Sequence, residues 1–318
     1  MFALFALVRC WAASVLTTEA AHLSGAMTMT CVARYRASLS RWLGGVFVAL
    51  LVTGCAMPDR NERADTLAAN AGLQREQIAT RPFVLTAFTR FTRADRPLTV
   101  YIEGDGLAWL SRSEPSPDPT PRHATGLALA AADPTPNVAY LARPCQFTAM
   151  SANPACAISY WTGKRFAPEV VDSLDQAIGQ LAARVPGQHI DLVGYSGGGA
   201  LAVLIAARRA DIASLRTVAG NLDDEFVNRL HHVSPMPESE NPVDVAPRVA
   251  AIAQIHFSGT ADTVVPTEVA TRFVAAAGGH CARVEAVPEI AHDGDWVRAW
   301  PALLRIEPVC SASAAPPR

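Results

Sequence analysis

Three side chains, far apart in this sequence, have the types and the order that acyl transfer to a serine requires. Ser196 stands in Gly194-Tyr195-Ser196-Gly197-Gly198, directly after an apolar run. A serine in a G-x-S-x-G pattern between a strand and a helix sits on a sharp turn that exposes its hydroxyl. The free N–H groups of the helix start then favour an anion forming beside it. The same pattern also fits a plain glycine-rich bend. An unaided hydroxyl is a weak nucleophile, so the chemical reading demands a base downstream. His292, in "EIAHDGDW", supplies one on a loop after the last expected strand. Asp262, in "HFSGTADTVVP", follows a strand end and can hold an imidazole in one tautomer.

Other residues compete for these roles. Asp262 also suits a turn or a cap. Asp223, in "VAGNLDDEF", is the rival acid, or else caps a helix together with Asp224. His231 and His232 fall at an expected helix end, and His256 within a strand, where a core role is the simpler reading. Asp293 and Asp295 flank His292, but no second histidine stands at ligand spacing, so neither a metal nor another cofactor is expected. An oxyanion site needs two N–H donors. Gly197 provides one, and Asp105 in Glu103-Gly104-Asp105-Gly106 is the expected second, although that stretch also reads as a simple turn.

The elements that must position these groups alternate along the chain. Strands are expected at 83–91, 98–102, 138–141, 190–194, 215–219, 252–258 and 283–287. Helices are expected at 124–132, 168–184, 198–209, 268–277 and 295–304. Such alternation implies right-handed crossovers and a mostly parallel central sheet with helices on both faces. Two stretches interrupt it, a Pro/Ser-rich loop at 111–121 and the segment 143–165, and both read as pocket walls. Trp109, Tyr160, Trp161 and Trp296 are candidates for lining that pocket or for ordinary packing.

Half of the 318 residues are hydrophobic, 18% are charged and the formal net charge is −2. That suits one sizeable domain and offers no electrostatic footprint for nucleic acid. Arg34, Arg36 and Arg41 precede an apolar run at 42–52 and then Val52-Thr53-Gly54-Cys55, the layout of an export signal. The run is too short to read as a membrane-spanning helix. Met27 or Met29 would give this signal an ordinary start. The expected division is a leader at 1–55, a polar, alanine-rich tether with some helix at 56–80 and a catalytic domain at 81–318. Export leaves Cys145, Cys156, Cys281 and Cys310 as disulfide candidates. Three connectivities are possible and the sequence-near pairs are favoured, with free buried thiols as the alternative.

The ending Val-Thr-Gly-Cys resembles a bacterial lipobox, which implies lipidation of Cys55 and a membrane anchor. Ala56 in place of an aspartate then leans toward the periplasmic face of the outer membrane. From about residue 83 to 304 the chain resembles α/β-hydrolases through "GYSGG", "GTADTVVP" and "AHDGDW". It is also similar to bacterial alpha/beta hydrolase lipoproteins through "YIEGDG", "ARPCQF", "YWTGKRFAPEVV" and "GNLDDEFVNRLHHVSPM". The resemblance implies the α/β-hydrolase fold and a nucleophile–acid–base set of Ser196, Asp262 and His292. It also implies a small acyl substrate, cleaved as an ester or thioester through an acyl-enzyme. A peptidase on the same scaffold and a non-catalytic binding lipoprotein are the alternatives. Oligomeric state is not legible in the sequence.

Overall fold

The computed structural model describes residues 59–311. The expected leader, with Met27, Met29 and the lipidation candidate Cys55, lies outside the described residues. Eight strands form one sheet: β1 (Gln74–Ala79), β2 (Val84–Phe91), β3 (Leu98–Ile102), β4 (Asn137–Leu141), β5 (Ile190–Tyr195), β6 (Ile212–Val218), β7 (Ala253–Gly259) and β8 (Ala282–Val287). Their spatial order is β1-β2-β4-β3-β5-β6-β7-β8. The β1–β2 and β2–β4 pairs are antiparallel, and every other pair is parallel.

Both faces of the sheet are covered, and the strand period of two decides what faces where. On one face Val100, Ile102 and Leu192 pack with α3 (Pro168–Ala182), α4 (Gly197–Ala206) and α6 (Thr267–Ala277). On the other, Tyr101, Tyr140 and Val193 pack with α1 (Arg60–Asn70), α2 (Thr125–Ala131) and α7 (Trp296–Leu303). All ten residues of α4 are buried. A helix apolar all round belongs inside a protein, and here it runs under the sheet from the candidate nucleophile. A short helix, α5 (Asp224–Leu230), follows β6.

Most expected elements are present, with ends shifted by a few residues. The tether at 56–80 is the correction. Within it lie α1 and β1, and β1 completes the sheet edge against β2. Ala64, Ala68 and Leu73 are buried in one cluster with Phe88. Arg90 holds the α1–β1 turn by donating to the carbonyl of Ala71 at 2.6 Å and to those of Asp133 and Thr135 at 2.6 and 2.9 Å. The sequence pattern hides this because α1 buries only two alanines and β1 only Ile78, too few to print a period.

Cys145 is bonded to Cys156, and Cys281 to Cys310. The first bridge closes the loop after β4 beside the candidate site, and the second ties the start of β8 to the chain after α7.

Ala68→Asp separates a tether from a packed helix. A charge placed at this 1% exposed position has no partner. The expected result is a loss of about 2 kcal/mol or more in urea unfolding. An unchanged unfolding midpoint would mean that α1 does not pack on the domain.

Candidate active site

Ser196 stands at the tip of the β5–α4 turn with φ +50° and ψ −119°, a strained conformation for a residue with a side chain. Backbone bonds over-determine it: Ser196 N–H donates to the Val218 carbonyl, and Gly199 and Asn221 N–H groups donate to the Ser196 carbonyl. Two glycines make the turn possible by close approach. A Cβ at Gly194 would strike the Gly198 backbone, and a Cβ at Gly198 would strike the carbonyls of Ile102 and Glu103. These contacts are with backbone, which cannot swing aside.

The structure brings the three separated side chains together. Ser196 Oγ lies 3.0 Å from His292 Nε2, and His292 Nδ1 lies 2.8 Å from Asp262 Oδ2. With the imidazole proton on Nδ1, His292 donates to the carboxylate and accepts from the serine hydroxyl. The Asp262 side chain is fully buried. Its Oδ1 accepts from the N–H groups of Val264 and Val265 at 2.9 and 2.8 Å, so it is both turn cap and imidazole partner. Tyr195 Oη and Trp296 Nε1 both donate to the His292 carbonyl at 3.0 Å, pinning the loop that carries it.

Asp223 does not reach His292. Its Oδ1 caps α5 through the Phe226 N–H at 3.0 Å, and its Oδ2 accepts from Arg272 Nε at 2.9 Å. The rival acid is therefore a cap and ion-pair residue. Asp295 caps α7 through the Arg298 N–H. His256 is buried, bonds Thr217 through Nδ1 at 2.9 Å, and burial lowers its pKa to about 3. His231 donates through Nε2 to the Val264 carbonyl at 2.7 Å.

The loop after β3 approaches the Ser196 turn from the side. Among the described residues the N–H groups of Asp105 and Gly197 donate no hydrogen bond, which leaves both available. Three side chains set the loop's shape. Glu103 is buried, and its Oε1 accepts from Gly104 N–H at 2.9 Å and Gly126 N–H at 3.1 Å, while Oε2 accepts from Tyr140 Oη at 3.0 Å. Burial pushes its pKa up against these donors. Gln146 Nε2 donates to the Gly104 carbonyl at 3.0 Å. The Asp105 carboxylate pairs with the buried guanidinium of Arg143, packed where a Cβ on Gly197 would have to go. Burial alone would raise the Asp105 pKa, but the charges of Arg165 and Arg143 outweigh it and hold it low. Sequence reasoning missed Arg143, Arg165 and Gln146, although "ARPCQF" contains two of them.

A cleft of 850 Å³ opens over Ser196. Trp109–Arg112, Thr162, Gly163 and Arg165 form one wall, so parts of both interrupting loops do line it. Residues 231–236 with Val264 and Val265 form the other. Of the four aromatic candidates only Trp109 faces the cleft. Trp161 packs in the core with Nε1 on the Ser116 carbonyl, Tyr160 stacks edge-on against Phe83, and Trp296 is fully buried.

The chain path is similar to that of several solved structures. A candidate lipase from Acinetobacter baumannii AYE matches with TM-score 0.53 and 13% identity, over 80% of this chain and 96% of that one. An esterase from Pyrococcus furiosus matches with TM-score 0.51 and 13% identity, over 74% and 90%. A bacterial membrane phospholipase A matches with TM-score 0.50 and 13% identity, over 83% and 98%. At the level of sequence, no family model and no curated relative matches. The eight-stranded, mostly parallel sheet and these likenesses give the chain the α/β-hydrolase fold.

Asp224 offers a pH test of this region. It is buried at the start of α5 with Oδ1 unpartnered, and burial raises its pKa to about 7, with Arg165 opposing. The folded state therefore holds the proton more tightly than the unfolded chain. The stability this proton confers is complete below about pH 4 and is lost as pH rises to about 7. Asp224→Asn keeps the neutral shape, so its stability relative to wild type is expected to be greater at pH 8 than at pH 5 in urea unfolding. An equal difference at both values would contradict the burial argument.

Proposed function

We propose that this chain is a serine hydrolase that cleaves carboxylic esters or thioesters through an acyl-enzyme. The observation that carries the reading is the continuous Ser196–His292–Asp262 hydrogen-bonded path at the floor of a substrate-sized cleft. A binding module has no need of a strained serine with an oriented base.

In the proposed reaction, Ser196 Oγ attacks the acyl carbon as its proton passes to His292 Nε2. Asp262 keeps the second imidazole proton on Nδ1 and stabilises the imidazolium. The carbonyl oxygen becomes an oxyanion and takes the free N–H groups of Gly197 and Asp105. Collapse expels the alcohol or thiol, which takes the proton from His292. Water, deprotonated by His292, then attacks the acyl group, and its collapse restores the Ser196 hydroxyl.

The lipobox resemblance supports an anchor at Cys55, and the domain's first helix begins a few residues beyond it. The proposed enzyme is therefore held at the envelope membrane through Cys55.

Two experiments test this. A fluorophosphonate probe should label the wild type and not Ser196→Ala, with ester turnover falling by about 1,000-fold or more in the variant. Folded wild type that neither labels nor turns over esters would overturn the enzymatic reading. Expressed in a bacterium fed radiolabelled palmitate, the chain should incorporate label at Cys55 and lose it in Cys55→Ser. Equal labelling of both would remove the anchor.

A further inference from the structure

The cleft over Ser196 contains donors and acceptors that the catalytic path does not use. Arg165 lines the cleft, and its side chain is 15% exposed. Its guanidinium makes no hydrogen bond among the described residues. Its ion pair, from Nε to Asp105 Oδ2, is 3.6 Å long, and Nε is buried without a hydrogen-bond partner. The ring of Phe166 lies 5.4 Å below the guanidinium carbon and fixes the plane of the group. Two further polar side chains line the same cleft, each 4% exposed. Asn228 has Nδ2 unpartnered, and Asn221 has Oδ1 unpartnered. A buried polar atom without a partner costs about 1 to 3 kcal/mol. Two of these three atoms, Arg165 Nε and Asn228 Nδ2, are donors, and the guanidinium that carries the first lines the cleft, so this wall has donor capacity to spare.

The charge around the cavity fixes the ligand's sign. The single carboxylate of Asp105 is hydrogen bonded to Arg143, so of the two guanidiniums beside it Arg165 is the one left in excess. Asp223 is engaged by Arg272, and the buried Asp224 carboxyl is held largely protonated below neutral pH. Arg112 adds a second cation at the mouth, and His232 an imidazole. A planar guanidinium matches a singly charged, two-oxygen acceptor better than a compact cation or an apolar tail.

Building on the hydrolase reading above, we propose that the substrate carries a carboxylate, and that Arg165, with Asn228 as a further donor, forms its binding subsite. The Asp105 carboxylate lies against both Gly197 and Arg165, so this subsite adjoins the reacting centre. It is suited to acids whose carboxylate lies a few bonds from the scissile carbonyl. The apolar side chains of Trp109, Leu110, Val233 and Val264 at the rim then contact the remainder of the molecule.

The test compares pairs of esters on the intact enzyme. 4-Nitrophenyl hemiglutarate against 4-nitrophenyl valerate places the charge on the acyl side. 4-Acetoxybenzoate against phenyl acetate places it on the leaving side. The charged member of at least one pair should show kcat/KM higher by about tenfold or more. In Arg165→Met the charged-to-neutral ratio should fall by about 10- to 100-fold. In Asn228→Asp, which sets a like charge into the subsite, it should fall as well. The second variant serves if the first does not fold. Turnover of neutral esters with no preference in either pair overturns the carboxylate subsite and leaves the hydrolase reading intact. A preference that survives both variants also overturns it. No turnover of any ester, together with no fluorophosphonate labelling, removes the hydrolase reading itself.

Discussion

A buried carboxylate bonded to an imidazole is the constraint on which the rest of this site depends. Asp262 is removed from water completely, and an unmatched charge there would cost several kcal/mol. Three N–H groups offset that cost, two from its own turn and one from His292 thirty residues on. The bond works in both directions. It makes burial of the charge tolerable, and it fixes the tautomer that leaves Nε2 free to accept from Ser196. Tyr195 and Trp296 then lock the loop by its carbonyl. The residue beside the proposed nucleophile therefore also anchors the proposed base.

The opposite half of the site rests on close backbone approach. Gly194 and Gly198 let the start of α4 lie against the carbonyls that end β3, and the price is a strained Ser196. The β3 loop is held beneath by Glu103 and Gln146 and from the side by the Asp105–Arg143 pair. The result is two N–H groups, of Gly197 and Asp105, left without hydrogen bonds among the described residues. Polar groups that would each be a liability alone are used here to set backbone positions.

How far the sequence discloses this follows from the range of each interaction. The Ser196 turn is local, and its glycines announce it. The strand ends that precede 262 and 292 are visible because apolar runs stop there, so the order of the three residues is legible. The choice between Asp262 and Asp223 is not, since both follow strands and both cap turns. Only the three-dimensional path of His292 separates them. Arg143 and Arg165 are also illegible as a pair, because their meaning comes from sharing one carboxylate across a folded loop. Likewise α1 and β1 look like a polar tether because the sheet edge they cover asks for few apolar residues.

The same arrangement of buried charge links the proposed catalytic floor to the proposed substrate wall. Asp105 lies against Gly197 on one side and Arg165 on the other, so a single residue borders both. The central claim is that Ser196 becomes acylated during turnover. Rapid acid quench of the enzyme with 4-nitrophenyl acetate, followed by peptide mass spectrometry, measures this directly. An acetyl group on Ser196 in wild type, absent when His292 is replaced by alanine, is the result this account predicts. Rapid ester turnover with no acyl group on that peptide, or with the acyl group on another side chain, would contradict it.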